Sequence, residues 1–352
     1  MKKLLKFIGG VLLLVVLLAA AFIGYLTVTE YRPDKVEPLT VENAADKVFD
    51  KDSFTVLTFN AGYCALGKDS DFFMDGGTQV RPDSARTVEE SFQWLCEFLN
   101  DTAPDFTLLQ EVDSGSTRSY GIDEMTGLYE TLDTSASYAY NFKCDFVPYP
   151  WPPIGKVRSG LMTTTDYKVS EASRVSLPCP FSWPVSAANL KRCLLVSRVP
   201  IEGTDKELVL VNLHLEAYDD GEGKAAQTSQ LLTLLSNEYA RGNYVIAGGD
   251  FNQSFPDAEF SYPNTHPENY LPGSLNENDL KDGWRYAWDT SAPTCRLLNQ
   301  PYDPADTEGT QYYVIDGFLV SPNLEIESVK TLDEGFEYSD HNPVLIKVSL
   351  IN

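Results

Sequence analysis

Residues 244–252 read Tyr-Val-Ile-Ala-Gly-Gly-Asp-Phe-Asn, a short apolar run that ends in two glycines and two polar side chains. The apolar residues predict a buried β-strand, so Asp250 and Asn252 are expected at its carboxyl end. Alone, this pair is equally typical of an Asx turn, in which a short polar side chain binds nearby backbone. The interpretation therefore depends on what ends the other strands.

The same arrangement recurs along the chain, where further apolar segments carry Asn, Glu, Asp or His at one end. These polar ends are Asn60 after residues 54–59, Glu111 after 105–109, His214 after 208–213, Asp316 after 314–315, and Asp340 with His341 before 344–350. Layered sheets tend to collect such ends along one rim, which predicts a single shared site. Oxygen-rich clusters select Mg²⁺ or another hard cation, and histidines beside them add donors or proton transfer. The combination suits metal-assisted attack of water on phosphorus.

The spacing of apolar residues predicts helices over 87–100 and 224–241, and strand-like runs fill the stretch from 160 to 213. Strands with few helices, and consecutive strands in the middle, predict mixed sheets packed face to face with helices outside. Residues 253–313 are rich in Pro, Asn, Tyr and Asp without a clear period. Such a stretch inside a compact domain is expected to be a functional insertion.

The N-terminus predicts a membrane anchor. A basic segment, residues 1–6, precedes an uncharged run at 7–29 that is long enough to span a bilayer as a helix. The lysines are expected to stay in the cytoplasm, which places the rest of the chain outside it. Cleavage as a signal peptide, followed by secretion, is the alternative. Residues 30–52 then read as a linker, and 53–352 as one catalytic domain.

Charge and cysteine content exclude two classes of protein. The 352 residues hold 51 acids and 27 bases, a formal net charge of −24. A basic coat for nucleic acid is therefore excluded as the main binding device. Six cysteines are too few for a disulfide scaffold. An acidic body still accepts a polyanionic substrate if a bound divalent cation reverses the local sign.

Taken together, the polar motifs resemble those of the endonuclease/exonuclease/phosphatase superfamily, which includes secreted deoxyribonucleases, abasic-site endonucleases, bacterial sphingomyelinases and inositol-phosphate 5-phosphatases. The likeness covers residues 53–352. The motifs that carry it are, in order, Asn60, Gln110-Glu111, Ser159-Gly160, His214, Gly249-Asp250-Phe251-Asn252, Asp316 and Ser339-Asp340-His341. The resemblance implies a four-layer α/β sandwich of two mixed β-sheets flanked by helices, here preceded by one transmembrane helix.

The resemblance also implies roles for these residues. Glu111 would bind Mg²⁺, with Asn60 and Asp340 nearby; Mn²⁺ and Ca²⁺ are alternatives. The catalytic group would comprise Asp250 as orienter or base for the attacking water, Asn252 as holder of a phosphate oxygen, His214 as donor to the phosphate or leaving group, and His341 as a phosphate contact fixed by Asp316.

Substrate contacts are expected from residues outside these motifs. Where many family members carry a basic residue before the Asp316 motif, this chain has Val314-Ile315. Positive charge is expected instead from Arg158, Arg192 and Arg296, for which solvent-facing charges are the alternative. Trp151, on a proline-rich loop, is expected to stack on a substrate or touch lipid, or else to cover the flank of the sheet.

Three functions remain open on the sequence. The first is an extracytoplasmic phosphodiesterase acting on a lipid head group or another small diester, which membrane tethering favours. The second is a surface-tethered nuclease, for which the acidic body offers little phosphate neutralisation. The third is a catalytically inactive phosphate-binding module. The apparently complete set of metal and phosphate residues argues against this last function.

Overall fold

Five α-helices and eighteen strands form the regular structure of the residues that the computed structural model describes, which are 1–219, 221–281, 283–306 and 309–351. The helices are α1 (Lys2–Val28), α2 (Ala85–Thr102), α3 (Glu124–Leu132), α4 (Glu222–Ala240) and α5 (Ala258–Ser261). The strands are β1 (Val36–Leu39), β2 (Val41–Glu42), β3 (Ser53–Asn60), β4 (Phe106–Asp113), β5 (Ser135–Val147), β6 (Gly155–Thr165), β7 (Glu171–Ser176), β8 (Cys193–Pro200), β9 (Glu207–His214), β10 (Tyr244–Asp250), β11 (Gln253–Ser254), β12 (Gly273–Ser274), β13 (Arg285–Ala287), β14 (Cys295–Arg296), β15 (Tyr312–Tyr313), β16 (Asp316–Val320), β17 (Leu324–Thr331) and β18 (Val344–Leu350).

Fourteen of these strands form two seven-stranded mixed sheets. The first sheet has the order β1-β7-β8-β9-β10-β16-β13, and the second has the order β17-β18-β3-β4-β6-β5-β2. The pair β9–β10 in the first sheet and the pair β3–β4 in the second are parallel, whereas the other neighbours are antiparallel. The predicted mixed sheets are confirmed.

The hydrophobic core divides into layers that match this order. Residues from the inner faces of both sheets, such as Val56, Leu210 and Phe318, form one cluster between them. Leu231 and Leu235 of α4 pack on the outer face of the first sheet. Helices α2 and α3 cover the outer face of the second sheet with apolar residues spaced along one side. The chain is therefore the four-layer α/β sandwich that the resemblance implied.

Residues 30–52, expected to form a linker, are instead partly built into the domain. Strand β1 pairs with β7 at the end of the first sheet, and β2 pairs with β5 at the end of the second. Phe49 is fully buried between the sheets. This segment therefore joins the edges of both sheets, which corrects the expectation of a linker. Strands β1 and β2 could not be predicted, because this segment is polar and both strands are too short to show an apolar pattern.

Helix α1 is long and apolar enough to cross a membrane, with a mean hydropathy of 2.8 over its most apolar window and none of that window buried against the protein. Its last turn, in contrast, packs on the domain, and Leu26 there is 8% exposed. The predicted N-terminal helix is confirmed, with the length and composition that a membrane span requires.

The stretch 253–313, expected to be an irregular insertion, contains the four-residue α5 and the short strands β11 to β15. Two of these pairs, β11–β12 and β14–β15, form small separate sheets. Tyr270, Leu297 and Tyr313 pack together in one cluster. The insertion is thus ordered by its own small core and lies next to β10 and β16, which frame the site.

Candidate active site

Asp250 lies at the centre of the polar cluster because of the strand register in the first sheet. It ends β10, and its backbone neighbours are His214 at the end of β9 and Asp316 at the start of β16. Oδ2 of Asp250 is 3.5 Å from Nε2 of His214, and Oδ1 accepts a hydrogen bond of 2.8 Å from the backbone N–H of Asn252. Neighbouring strands thus deliver three polar residues to one point.

Asn60 brings the second sheet to the same point. It ends β3, beside Gln110 in β4, and its Nδ2 donates to Oδ2 of Asp250 at 3.1 Å and to Oε1 of Glu111 at 3.3 Å. The same nitrogen is 3.4 Å from Nε2 of His341. Because the side chain is 1% exposed, these contacts are made away from solvent.

A second polar bridge fixes the spacing of the two sheets beneath the site. Nε2 of Gln110 donates to Oδ1 of Asn212 in β9 at 2.8 Å. Nδ2 of Asn212 donates back to the carbonyls of Leu109 and Met162, both at 2.9 Å. All of these groups are buried, so an unmade hydrogen bond would cost about 1–3 kcal/mol. The bridge therefore specifies one register between the sheets.

Glu111 reaches the site through an irregularity in β4. The pairing of β4 with β6 shifts between Leu109 and Val112, and Glu111 has a φ of 54°. Few residues other than glycine adopt this left-handed conformation, and bulges of this kind re-aim side chains near active sites. Glu111 keeps 24% of its side chain exposed, which makes it the carboxylate of the cluster most open to a ligand.

His341 is held by Asp316. Its Nδ1 lies 2.8 Å from Oδ2 of Asp316, and its Nε2 faces Asp250 at 3.8 Å. Burial opposes a charge on the ring, but the surrounding acidic groups, Asp316 foremost and Asp340 with it, together raise the pKa of His341 well above its usual value. His341 is therefore an imidazolium that presents an Nε2–H donor to the site.

His214, in contrast to His341, is held in its neutral form. Burial, followed by the positive charges of Arg192 and His341, holds the pKa of His214 well below its usual value. Its Nδ1 is 4.0 Å from Glu111 and its Nε2 is 3.5 Å from Asp250. A neutral ring carries one N–H and one lone pair, so His214 is able to donate or accept one proton.

Asn252 is fixed on both sides of its amide. Nδ2 donates to the carbonyl of Leu215 at 3.0 Å, and Oδ1 accepts from the hydroxyl of Tyr270 at 2.7 Å. The backbone of Asn252 has a φ of 50°, which turns the chain sharply after Asp250. One N–H of the amide stays available to a phosphate oxygen.

The carboxylates around the site carry more negative charge than the nearby bases neutralise. Burial and the Asp316 carboxylate raise the pKa of Asp250 to about 7. Burial and Glu111, against the opposing charge of His341, raise the pKa of Asp340 to about 7. A divalent cation would remove this repulsion, and oxygen ligands are those that Mg²⁺ prefers.

Among the described residues, two groups of ionisable side chains have ligand atoms within 4.8 Å of one another, namely Asp250, Asp316 and His341, and Cys295, Asp340 and His341. His341 is committed to Asp316 as a cation, which leaves it unsuited to a metal. Glu111 belongs to neither group, and Asn60 turns its amide nitrogen towards Glu111 while its oxygen accepts from the backbone N–H of Gly62. The metal site expected at Glu111, Asn60 and Asp340 therefore stays a prediction.

The arginines expected at the substrate lie elsewhere. Arg192 is 5% exposed, donates to the carbonyl of His214 and pairs with Glu216 at 3.4 Å. Arg296 is 1% exposed and donates to backbone carbonyls, among them that of Gly67. Both therefore hold loops behind the site, contrary to the expectation, because a buried guanidinium needs fixed acceptors.

The other two expected contacts stay at the surface. Arg158 is in β6 with its Nη2 3.5 Å from Asp145. Trp151 is 90% exposed on the turn between β5 and β6. Their role in substrate binding therefore stays a prediction.

Sequence reasoning missed Asp75 and its partner Tyr218. The Tyr218 hydroxyl donates to Oδ1 of Asp75 at 2.7 Å. Burial raises the pKa of Asp75 to about 6 against this hydrogen bond, and Glu111 adds to the shift. Tyr270, which orients Asn252, was missed as well. No local signal marks these residues, because their loops reach the site only through tertiary packing.

Comparison with known proteins agrees with this geometry. The sequence profile described as the Endonuclease/Exonuclease/phosphatase family matches residues 57–341. No curated protein sequence matches the chain.

Similar solved structures share the fold at low identity. An endonuclease/exonuclease/phosphatase from Beutenbergia cavernae DSM 12333 is 19% identical with a TM-score of 0.57, over 85% of this chain and 72% of that one. One from Bacteroides vulgatus is 18% identical with a TM-score of 0.54, over 85% of this chain and 100% of that one. TDP2 from C. elegans is 16% identical with a TM-score of 0.53, over 86% of this chain and 76% of that one.

The predicted membership is thus confirmed, and with it the class of reaction. Because the matched region contains Asn60, Glu111, His214, Asp250 and His341, the cluster described above lies within it. The chain belongs to the Endonuclease/Exonuclease/phosphatase family and is a hydrolase of phosphoric ester bonds.

Proposed function

We propose that this protein is a membrane-anchored, extracytoplasmic, metal-dependent phosphodiesterase whose substrate is a lipid head group or another small diester. The observation that carries the proposal is the convergence of Asn60, Glu111, His214, Asp250 and His341 from both sheets. Their polar atoms are joined by distances of 3.1–4.0 Å. This cluster brings together, away from solvent, an acceptor for a water proton and two donors for phosphate oxygens.

Each residue has a separate task in this proposal. Asp250 accepts the proton of the attacking water, since a base with a pKa near the working pH is the most effective. His341 donates its Nε2–H to a phosphate oxygen, and Asn252 holds another. His214, as a neutral ring, donates an N–H hydrogen bond to the departing oxygen, which takes its proton from water. A divalent cation held by Glu111, Asn60 and Asp340 would polarise the phosphoryl group when bound.

The charges around the site favour a diester with a single negative charge. Nearby bases are already paired: Arg118 with Asp113 at 2.9 Å, Lys224 with Asp219 at 3.3 Å, and Arg192 with Glu216. A phosphomonoester or a nucleic acid brings further negative charge that needs free cations. A small diester needs none beyond the cluster itself.

The anchor and its orientation are supported by the N-terminus. Lys2, Lys3 and Lys6 flank the start of α1, and basic residues favour the cytoplasmic side. The far end of α1 packs on the domain through Phe22, whose ring centroid is 6.1 Å from that of Phe146. These contacts favour retention of the helix over its removal as a signal peptide.

The test uses the full-length protein in detergent, with Mg²⁺ or with EDTA. The substrates are a generic chromogenic phosphodiester, sphingomyelin, an inositol phosphate and plasmid DNA. We expect metal-dependent turnover of the diesters. Asp250→Asn should lower kcat by about 100- to 10,000-fold, the usual contribution of a general base. Asp205→Asn, on an exposed turn, is the matched control and should keep full activity.

Other outcomes would overturn the proposal. Faster hydrolysis of plasmid DNA than of any small diester would identify a nuclease. Absence of turnover on every substrate, with Mg²⁺ and phosphate still bound, would identify a binding module. Equal turnover by Asp250→Asn and the wild-type protein would exclude the assigned base.

A further inference from the structure

Two loops border the site at the edge of the sheets where the polar strand ends meet, here called the site edge. The β5–β6 turn, residues 148–154, lies beyond the level of Glu111, because Val147 pairs with Gly155 further along the strands than Val112 pairs with Gly160. The β7–β8 loop, residues 177–192, joins Ser176 to Cys193, and the next residue of β8 pairs with Leu213 beside His214. Both loops therefore lie at the site edge.

Helix α1 leaves the domain at this same edge. Phe22 makes its edge-to-face contact with Phe146, next to the β5–β6 turn. Nε1 of Trp183 in the β7–β8 loop donates to Oγ1 of Thr27 at 3.0 Å. Just beyond the helix, Glu30 pairs with Nζ of Lys191 at 2.9 Å. The apolar surface of α1 is thus continuous with both loops.

The two loops expose aromatic and apolar side chains. Tyr149 is 71% exposed, Trp151 is 90%, Trp183 is 61% and Val185 is 58%. Exposed patches of this kind mark contact surfaces, and Trp and Tyr are enriched where protein meets the interface of a bilayer. Since α1 is the element that would cross the bilayer, the surface nearest to these side chains is the bilayer itself.

The charge of the loops agrees with this surface. The two loops, residues 148–154 and 177–192, hold no acid and two basic residues, both of which are paired, Lys191 with Glu30 and Arg192 with Glu216, although the whole chain carries a net charge of −24. Basic segments next to a membrane span are attracted to anionic lipids, while acidic ones are repelled. The site edge is therefore a part of this acidic protein that an anionic membrane surface accepts.

The same loops form the border of the site. The ring of Tyr149 is 5.7 Å from that of Phe73. Phe73 belongs to the short 3₁₀ turn Phe73–Asp75, whose last residue is the buried Asp75 beside Glu111. Of the exposed aromatic side chains, Tyr149 is thus linked through Phe73 to the turn that carries Asp75.

We infer that the site edge rests on the bilayer that α1 enters, with Tyr149, Trp151 and Trp183 in the lipid interface, so that the site takes a phosphodiester from the head groups of that bilayer. The inference rests on the proposed function for its chemistry and names the source of the substrate. The opposite edge, with the β8–β9 turn and Val48, faces away from the membrane.

Its first test measures geometry without any turnover. Of the six cysteines, all within the described residues, Cys179 in the β7–β8 loop is exposed and the other five are buried. A fluorophore on Cys179 is compared with one on Asp205→Cys in a Cys179→Ser background, at the opposite edge. The full chain is inserted in phosphatidylcholine–phosphatidylglycerol vesicles that contain a lipid with a nitroxide on its head group.

We expect the nitroxide lipid to quench the label on Cys179 several-fold more than the label at position 205. Equal, weak quenching of both labels would show a domain that stands away from the bilayer, and stronger quenching at position 205 would show the reverse orientation. Either result would overturn the inference and leave the proposed hydrolysis untouched.

The second test separates lipid substrates from soluble ones. Trp183→Ser and, as a milder change, Val185→Ser should lower turnover of a phosphodiester lipid in vesicles several-fold and leave turnover of a soluble chromogenic diester unchanged. Val48→Ser, at an apolar position 39% exposed on the opposite edge, is the matched control and should change neither rate. An equal loss of turnover on both substrates would show that the substitution affects folding or chemistry, and would contradict membrane contact. If the wild-type protein did not hydrolyse the soluble chromogenic diester at all, the proposed function itself would be contradicted.

Discussion

At the scale of single residues, Arg296 shows how burial decides the use of a charge. Its guanidinium donates to the carbonyls of Gly67, Ser70, Leu297 and Gln300. Burial lowers its pKa from the usual value. The side chain therefore ties the segment 67–70 to β14 next to the site, and it is closed to solvent, although its buried Nε lacks a hydrogen-bond partner.

We therefore predict that Arg296→Met lowers the free energy of unfolding by about 2–3 kcal/mol, because buried carbonyls lose their charged donor. The KM for a soluble diester should stay unchanged. Chemical denaturation and steady-state kinetics check the two halves. Arg86→Met, on the exposed face of α2, should change little. A raised KM with unchanged stability would show instead that Arg296 contacts the substrate.

Polar residues at strand ends can be recognised from the sequence when the strands themselves have a clear apolar pattern. Asn60, Glu111, His214, Asp250 and His341 each adjoin a recognisable apolar run, so the sequence indicates both their type and their common rim. Asp75 and Arg296 lie on irregular segments. Their positions depend on contacts such as the backbone N–H of Phe72 with the carbonyl of Leu298, which no local pattern encodes.

At the scale of elements, β10 depends on a glycine. Gly249 pairs with Leu213 of β9, and a Cβ there would overlap the Leu213 carbonyl. We predict that Gly249→Ala separates the two strands locally, with a loss of about 1–3 kcal/mol of stability and of most activity. At Gly248 a Cβ would meet side-chain atoms of Phe318 and Leu108.

Gly248→Ala is therefore the comparison variant for this prediction, and we expect it to keep more activity than Gly249→Ala. Thermal unfolding and diester turnover measure the two effects. Equal losses for both variants would show that the backbone approach of β9 to β10 is not the limiting constraint.

Helix α3 is tied to β4 by a buried carboxyl group. Oε2 of Glu124 accepts from the backbone N–H of Asp113 at 2.8 Å. Burial and the Asp113 carboxylate raise the pKa of Glu124 well above its usual value of 4.5. The folded state therefore holds this proton more tightly than the unfolded chain, and the stability that Glu124 contributes falls as the pH rises above about 4.5.

We predict that Glu124→Gln, which keeps the acceptor oxygen, removes this loss. The free energy of unfolding of the variant should exceed that of the wild-type protein by an amount that grows from pH 5 towards pH 8. Denaturation at several pH values tests it. A difference that is constant or shrinks with pH would contradict the raised pKa.

Long elements with a clear period are predictable, and short or crowded ones are less so. The runs that predicted β3, β9 and β18 agree with the structure to within one or two residues. Strand β5 has a mixed polar and aromatic composition, and the nine residues of α3 include Gly127. Neither gives a strong sequence pattern. Each is stabilised instead by tertiary contacts, since β5 pairs with β6 and α3 packs on α2.

At the scale of the whole molecule, the excess of carboxylates at the site couples metal to stability. We predict that Mg²⁺ raises the midpoint of thermal unfolding, with a gain of about 2.7 kcal/mol at a concentration 100 times its Kd. Glu111→Gln should abolish most of this gain, while Glu327→Gln, at a surface ion pair, should keep it.

Differential scanning fluorimetry with Mg²⁺ and with EDTA measures this coupling without a substrate. An equal gain in the wild-type protein and in Glu111→Gln would place the cation elsewhere. No gain in the wild-type protein would show that the carboxylates tolerate one another without it.

The architecture was predictable because it follows from the alternation of strands and helices, whereas the join between anchor and domain was not. Strands β1 and β2 cover the outer edges of β7 and β5, and these partners lie roughly a hundred residues away in sequence. A soluble fragment should therefore begin before Val36, since a start at residue 50 would uncover two sheet edges that invite aggregation.

Strand β3 sits between β4 and β18 in the second sheet, so its outer neighbour is the last strand of the chain. Synthesis proceeds from the N-terminus at about 5–20 residues per second. Asn60 is therefore made some tens of seconds before His341, its partner across the pocket. We therefore expect a nascent chain to stay inert until His341 and β18 have been made.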